Sequence, residues 1–313
     1  MAPAVAQAPA PKTGAPAAAA SKDSGPSLGF DLGGNSRNPT TIEATQGIEW
    51  QQNNHVYIAR GHATAKRGNG TVIADTLTAH YRPTAKPQAG TSPADARKTD
   101  ASATDASKTD VLDSGSQIYL VEADGHVELM GETQRAYGDH GVYDVDAGTM
   151  VLTGNNLRLE TRQDLLTARD SLEWYDKEQL AVARGDAVDV REQKRIRADV
   201  MTAEVTRDDK GAQRISRIDA EGDVTVSSQD QTGRGDSGVY NVETGITTLL
   251  GHVKLTRGQN ELRGQYAVVD MNKNIYRLLN APPSETLTSS GPTRVEGLFM
   301  PRQQGSAPSQ GKP

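Results

Sequence analysis

GVYNVETGITTLLGHVKL occupies residues 238–255, and GVYDVDAGTMVLTGNNLRL occupies residues 141–159, ninety-seven positions earlier. Catalytic motifs rarely come in copies, whereas repeat architectures consist of little else, so the duplicated phrase sets the first question for the fold. Glycines followed by a polar residue and an alternating apolar stretch stand at Gly61, Gly125, Gly154, Gly185, Gly222 and Gly251, at intervals of 64, 29, 31, 37 and 29 residues. A second mark, a small residue usually followed by Asp, stands at Ala74, Gly138, Ala168, Ala198, Gly235 and Gly264, at intervals of 64, 30, 30, 37 and 29. Chance does not reproduce the irregular 64 and 37 in both series. The chain is therefore a repeat of about 29 residues, running from about Gly61 to Leu279 after a half-repeat at 42–60.

Each irregular interval has a visible source. Residues 83–112 are polar, low in complexity and almost free of large apolar side chains, so they are expected to be a disordered insertion. The turn-like RDDKGAQ at 207–213 lengthens one hairpin end. Within a repeat the apolar period is two, which is the signature of half-buried strands, and no helical stripe of any length occurs. The polar residues after the repeat glycines (His62, His126, Asn155, Asp186, Asp223 and His252) are the kinds that tolerate left-handed backbone, and they predict tight turns.

One such unit cannot bury its apolar face alone, but stacked units can. Folding each unit into a V and stacking the Vs predicts an elongated all-β solenoid with an apolar interior. With hydrophobic residues at 35% and aromatics at 4%, the filling is modest, and the interior trough is expected to stay partly open. The strand periodicity assigns Val56, Ile58, Leu77, Val127, Leu129, Leu157, Leu159, Val188, Val190, Val224, Val226, Val253 and Leu255 to the trough. The terminal strands, carrying Ile42, Ile48 and Trp50 at one end and Ile275, Leu278 and Leu279 at the other, are candidate docking edges.

The composition narrows the function. A net charge of −6 gives no electrostatic reason to expect nucleic acid. Zero cysteines exclude a thiol nucleophile and a Cys-ligated metal, and the six histidines show no zinc-site spacing, so no metal and no cofactor are expected. Gly235-Asp236-Ser237-Gly238 imitates a protease nucleophile segment, yet one phrase earlier the same place reads Gly138-Asp139-His140-Gly141, so the serine fills a repeat turn. Arg191, Lys194, Arg195 and Arg197 read either as contacts for lipid phosphates or, preferably, as a solvated hairpin tip. The Ala/Pro-rich residues 1–40 lack the basic and apolar regions of a secretory signal, and read equally as the start of a mature chain after signal cleavage or as a disordered tail.

The segments IEATQGIEWQQNNHVYIARGHATAKRGNGTVIADTLTAHYRP (42–83) and GVYNVETGITTLLGHVKLTRGQNELRGQYAVVDM (238–271) resemble the LptA/OstA family of periplasmic lipopolysaccharide-transport proteins. The shared features are the opening Ile-x-Ala, the Gly-x-Val strand start, the Ile-x-Ala-Asp turn and the Tyr-x-Val-x-x-Gly hairpin. The likeness spans roughly residues 42–280, within an expected jellyroll domain at 41–287, and RVEGLFMP (294–301) within the 288–313 tail also reads like the family. The resemblance implies a twisted, V-shaped β-jellyroll without enzymatic activity. It implies a periplasmic bridge carrying lipopolysaccharide from inner to outer membrane, its acyl chains shielded in the groove. It further implies an inner-membrane LptC-like partner and an outer-membrane LptD-like partner, and the unlike terminal edges are expected to join such neighbours or identical copies head to tail. The extra length and the insertion leave strand number and assembly geometry open. The alternative is a structural or adhesive β-solenoid with a dry, packed core and no lipid cargo.

Overall fold

The computed structural model describes residues 40–83, 116–207, 213–229, 231–273, 275–279 and 295–298. Eighteen strands and no helix occur among them. In chain order they are β1 (Thr41–Glu43), β2 (Gly47–Gln51), β3 (Val56–Arg67), β4 (Gly70–Pro83), β5 (Ser116–Met130), β6 (Arg135–Asp144), β7 (Thr149–Thr153), β8 (Leu157–Glu160), β9 (Asp164–Ala168), β10 (Ser171–Tyr175), β11 (Leu180–Arg191), β12 (Lys194–Arg207), β13 (Gln213–Ser228), β14 (Gln231–Asn241), β15 (Ile246–Arg257), β16 (Asn260–Asp270), β17 (Ile275–Leu279) and β18 (Glu296–Leu298). Every pairing is antiparallel, which suits a chain whose consecutive strands are joined by short polar turns.

The repeat glycines bend the long strands instead of ending them. Gly125 (φ 77°) and His126 (φ 46°) lie inside β5, and the pairing with β4 skips from Ile73 to Thr76 on one strand as it passes them. Gly61-His62, Gly185-Asp186, Gly222-Asp223 and Gly251-His252 repeat the geometry inside β3, β11, β13 and β15. These are β-bulges, so the expected tight turns become mid-strand bends, with the left-handed backbone as anticipated. In the Gly154 repeat the left-handed polar residue is Asn156 (φ 55°), one position beyond the expected Asn155.

Aligned bulges divide the sheet into two walls. One wall runs β2-β3-β4-β5-β6-β7-β10-β11-β12-β13-β14-β15-β16-β17, and the other runs β1-β3-β4-β5-β6-β8-β9-β11-β12-β13-β14-β15-β16-β18. Near the middle the chain forms two short strands where elsewhere it forms one bent strand: β7 passes to β8 and β9 to β10, each step crossing from one wall to the other. The crossing after β9 is tied by Arg169 and Asp170 amides donating to the Gly185 and Arg184 carbonyls at 2.7 and 3.0 Å.

The second sequence mark lies opposite the first. Asp75, Asp139, Asp199 and Asp236 follow their small residues, and each carboxylate packs on the next repeat glycine, at Gly125, Gly154, Gly222 and Gly251 respectively. The two series share their spacing because they are the two sides of one bend. The main core is a cluster from Ala59 to Met271, held between the walls by residues such as Leu152, Leu157, Leu249, Val127, Val224 and Val253, each at most 2% exposed, and a smaller cluster of Tyr57, Ala79 and Tyr81 lies at the β2 end. Part of the expected 288–313 tail, β18, is a strand paired with β16. The expectations for residues 1–39, for 84–112 within the insertion and for 299–313 lie outside the described residues.

Candidate functional site: the interior between the walls

Leu77, Val127, Leu129, Leu157, Val224, Val226, Val253 and Leu255 are buried in the shared core, and Leu159 packs against it half-buried. Four expected trough residues fall elsewhere. Ile58 lies on the opposite pleat face from Tyr57 and Ala59, and Val188 and Val190 on the opposite face from Ala187 and Asp189. Val56 is buried but shares the face of Ile58 and stands outside the core cluster. The physical reason is the bulge. It places the second and fourth residues after the repeat glycine inward, as in Val224/Val226 and Val253/Leu255, so after Gly185 those positions are Ala187 and Asp189. Choosing the more apolar pair at that repeat put the side chains on the wrong face.

The other wall contributes aromatic side chains that the Val/Leu pattern does not pick out. Tyr143 and Tyr240 hold equivalent places in the duplicated phrase and both are buried, as is Trp174. Their polar ends are satisfied where described: the Tyr143 hydroxyl and the Trp174 indole N–H donate to the two oxygens of Asp176, at 2.9 and 2.5 Å. At the β2 end, Trp50 stacks on Tyr57 with ring centroids 5.6 Å apart, and its indole N–H donates to the Tyr81 hydroxyl at 2.8 Å.

Among the described residues, three of the cavities between the walls measure about 30, 10 and 10 Å³. Spaces of that size hold a water or two, not an acyl chain. The first is lined by Leu159 and Leu166 from one wall and by Met201 and Ile218 from the other, so it is a gap between walls. Around Leu159, Asp189 and Ile196 the gaps between the walls are therefore water-sized.

Charged groups interrupt the apolar lining near the middle of the stack. Arg191 donates from Nε and Nη2 to the two oxygens of Asp164 at 2.5 and 2.7 Å. Asp189, one inward position earlier on β11, is 8% exposed and makes no side-chain hydrogen bond among the described residues. Burial pushes its carboxyl up to about 7, the nearby Asp164 charge adds to the rise, and Arg191 opposes it. Burial likewise pushes the Tyr240 phenol up. Of the basic cluster, Arg191 is drawn inside by Asp164, Lys194 reaches Asn272 on the facing wall at 3.4 Å, and Arg197 pairs with Asp186 at the ridge.

Among the described residues the terminal strands each have one hydrogen-bonded neighbour: β1 and β2 pair with β3, β17 and β18 with β16. Ile48, Trp50, Ile275 and Leu279 are exposed there, whereas Ile42 and Leu278 pack against the core. Among the described residues no group of acidic or histidine side chains forms a metal site.

A family model described as LptA/(LptD N-terminal domain) LPS transport protein matches residues 41–170 and, a second time, residues 167–275. Among solved structures, the crystal structure of LptH, the LptA homologous periplasmic component of the lipopolysaccharide transport device from Pseudomonas aeruginosa, is similar at 21% identity and a TM-score of 0.38. That match covers 44% of this chain and 95% of the other. The search of curated proteins returns no match.

Proposed function

The chain belongs to the LptA/LptD N-terminal-domain family of lipopolysaccharide transport proteins, which are not enzymes, and on that premise we propose that it is a periplasmic bridge. In this reading it binds lipopolysaccharide between its two walls and passes it from the inner toward the outer membrane, between LptC-like and LptD-like neighbours. The observation that supports the reading is the pair of facing walls, apolar along most of the stack and ending in strands that each have one paired neighbour among the described residues.

The physical chemistry follows from the cargo. Each acyl CH₂ removed from water is worth about 0.8 kcal/mol, so a multi-chain lipid does not cross an aqueous space unshielded. Burial is non-directional, and facing strips of Val, Leu and Ala accept chains of different length and let them slide. Because the cavities are water-sized, the walls part to admit lipid, and the ridge of bulges is where they pivot. Free edge strands supply backbone donors and acceptors for β-augmentation by a neighbour or a second copy.

The test is photocrosslinking. A photoreactive side chain at Leu157 or Val226 is expected to capture purified lipopolysaccharide, and the same group at the outward Val188 is not. The water-sized gaps favour a second reading, a dry β-solenoid with no cargo. Absence of crosslinks from both interior positions selects it.

A further inference from the structure

Building on the carrier reading, we propose that Asp189 is a proton-controlled wedge: loss of its proton drives the two walls apart beside β11 and opens the interior. Four observations carry this. Asp189 projects from one wall into the core and lies between two cavities, both of which reach across to the facing wall. The residue is 8% exposed, and its carboxyl has no hydrogen-bond partner among the described residues. The neighbouring cation, Arg191, is already committed to Asp164 through two bonds. The facing wall offers Ile215 and Ile218 from β13, Met201 from β12 and Met271, none of which solvates a charge.

The titratable and charged groups around the site are Asp164 on β9, Arg191 on β11 itself, Lys194 on β12 and Tyr240 on β14. Asp164 disfavours a second negative charge. Lys194 points at Asn272, and Tyr240 offers a neutral phenol. A carboxylate without a partner is costly in such surroundings unless water reaches it, and water reaches it when the walls separate.

The sign follows from linkage. Closed walls hold the Asp189 proton up to about pH 7, whereas water-exposed carboxyls lose it near the ordinary value of 3.8. Raising the pH therefore favours the open arrangement. Between pH 5 and 7 the open-to-closed ratio is expected to rise about fiftyfold if the carboxyl is fully hydrated on opening.

The experiment places spin labels at Gln193 and Lys273, exposed turn residues at the tips of the two walls. Their separation is measured by pulsed electron paramagnetic resonance from pH 5 to 8 in the full chain. In the otherwise native protein a longer distance is expected to gain population with pH. In Asp189→Asn, nearly isosteric and uncharged, the short distance is expected at every pH, with an unchanged circular dichroism spectrum. A pH-independent separation without the substitution, or the same pH response with it, overturns the wedge. Lipopolysaccharide crosslinking run in parallel separates the two ideas. Crosslinks without pH-dependent separation remove the wedge and leave the carrier, whereas separation without crosslinks leaves the opening and removes the carrier.

Discussion

The carboxylate of Asp75 occupies the space where a side chain on Gly125 would begin, and it also accepts a hydrogen bond from Nδ1 of His126 at 2.8 Å. The contact recurs at Gly222 with Asp199 and at Gly251 with Asp236, so a bend in one strand is seated on the acidic residue of its neighbour. That hydrogen bond holds the His126 ring above the usual histidine range.

Substituting Gly125→Ala is expected to cost more than Gly258→Ala. Both glycines have positive φ, 77° and 59°, so each alanine pays about 1–2 kcal/mol for left-handed backbone. Gly258 has open space around it, whereas at Gly125 the Asp75 side chain must also move. Urea unfolding of the two variants measures the difference, and equal losses would show that the seat on Asp75 is immaterial.

Asp189→Asn is expected to stabilise the fold at neutral pH. The folded-state carboxyl sits at about 7 against 3.8 when unfolded, so its contribution is full below about pH 4 and declines as pH rises to 7. The advantage of the asparagine variant should therefore be small at pH 4, grow to roughly 4 kcal/mol by pH 7 and level off above pH 8. Thermal denaturation across that range checks the sign.

Reversing the two faces of β11 discriminates the register. Ala187→Asp buries a charge at a position with 0% exposure and is expected to cost several kcal/mol or prevent folding. Val188→Asp, on the half-buried outer face, is expected to cost about 1 kcal/mol. Chemical denaturation ranks the pair, and the opposite order would invert the assignment of the walls.

Ile48→Lys combined with Leu279→Lys places charges on both free edges, at residues 37% exposed. Concentration-dependent assembly, read by sedimentation velocity, is expected to weaken at least tenfold while the unfolding midpoint moves little. Unchanged assembly would move the contact away from these edges.

Much of the architecture was legible because it is periodic. The glycine and Asp series fixed the repeat, and alternation after Gly222 and Gly251 placed Val224, Val226, Val253 and Leu255 inward as found. What a single pattern could not carry was the consequence of the bulge. It fixes inwardness by distance from the glycine, so Ala187 and Asp189 lie inside although Val188 and Val190 are more apolar. Tyr143 and Tyr240 were visible as matched letters, but their burial depends on the second wall, which only the pairing across distant repeats creates. The spacing of the walls was illegible for a similar reason: how near two walls stand depends on the angle at the ridge, and no local residue preference sets it.

The wall-to-wall crossing between β9 and β10 falls at residues 169–170, inside the overlap at 167–170 where the two matches to one family model meet. Two family-length segments are therefore joined there by peptide bonds, with strand hydrogen bonding carried across on both sides. A seam of this kind has no dissociation constant. However dilute the protein, these two segments stay joined, and only a contact made at the outer ends would be subject to mass action.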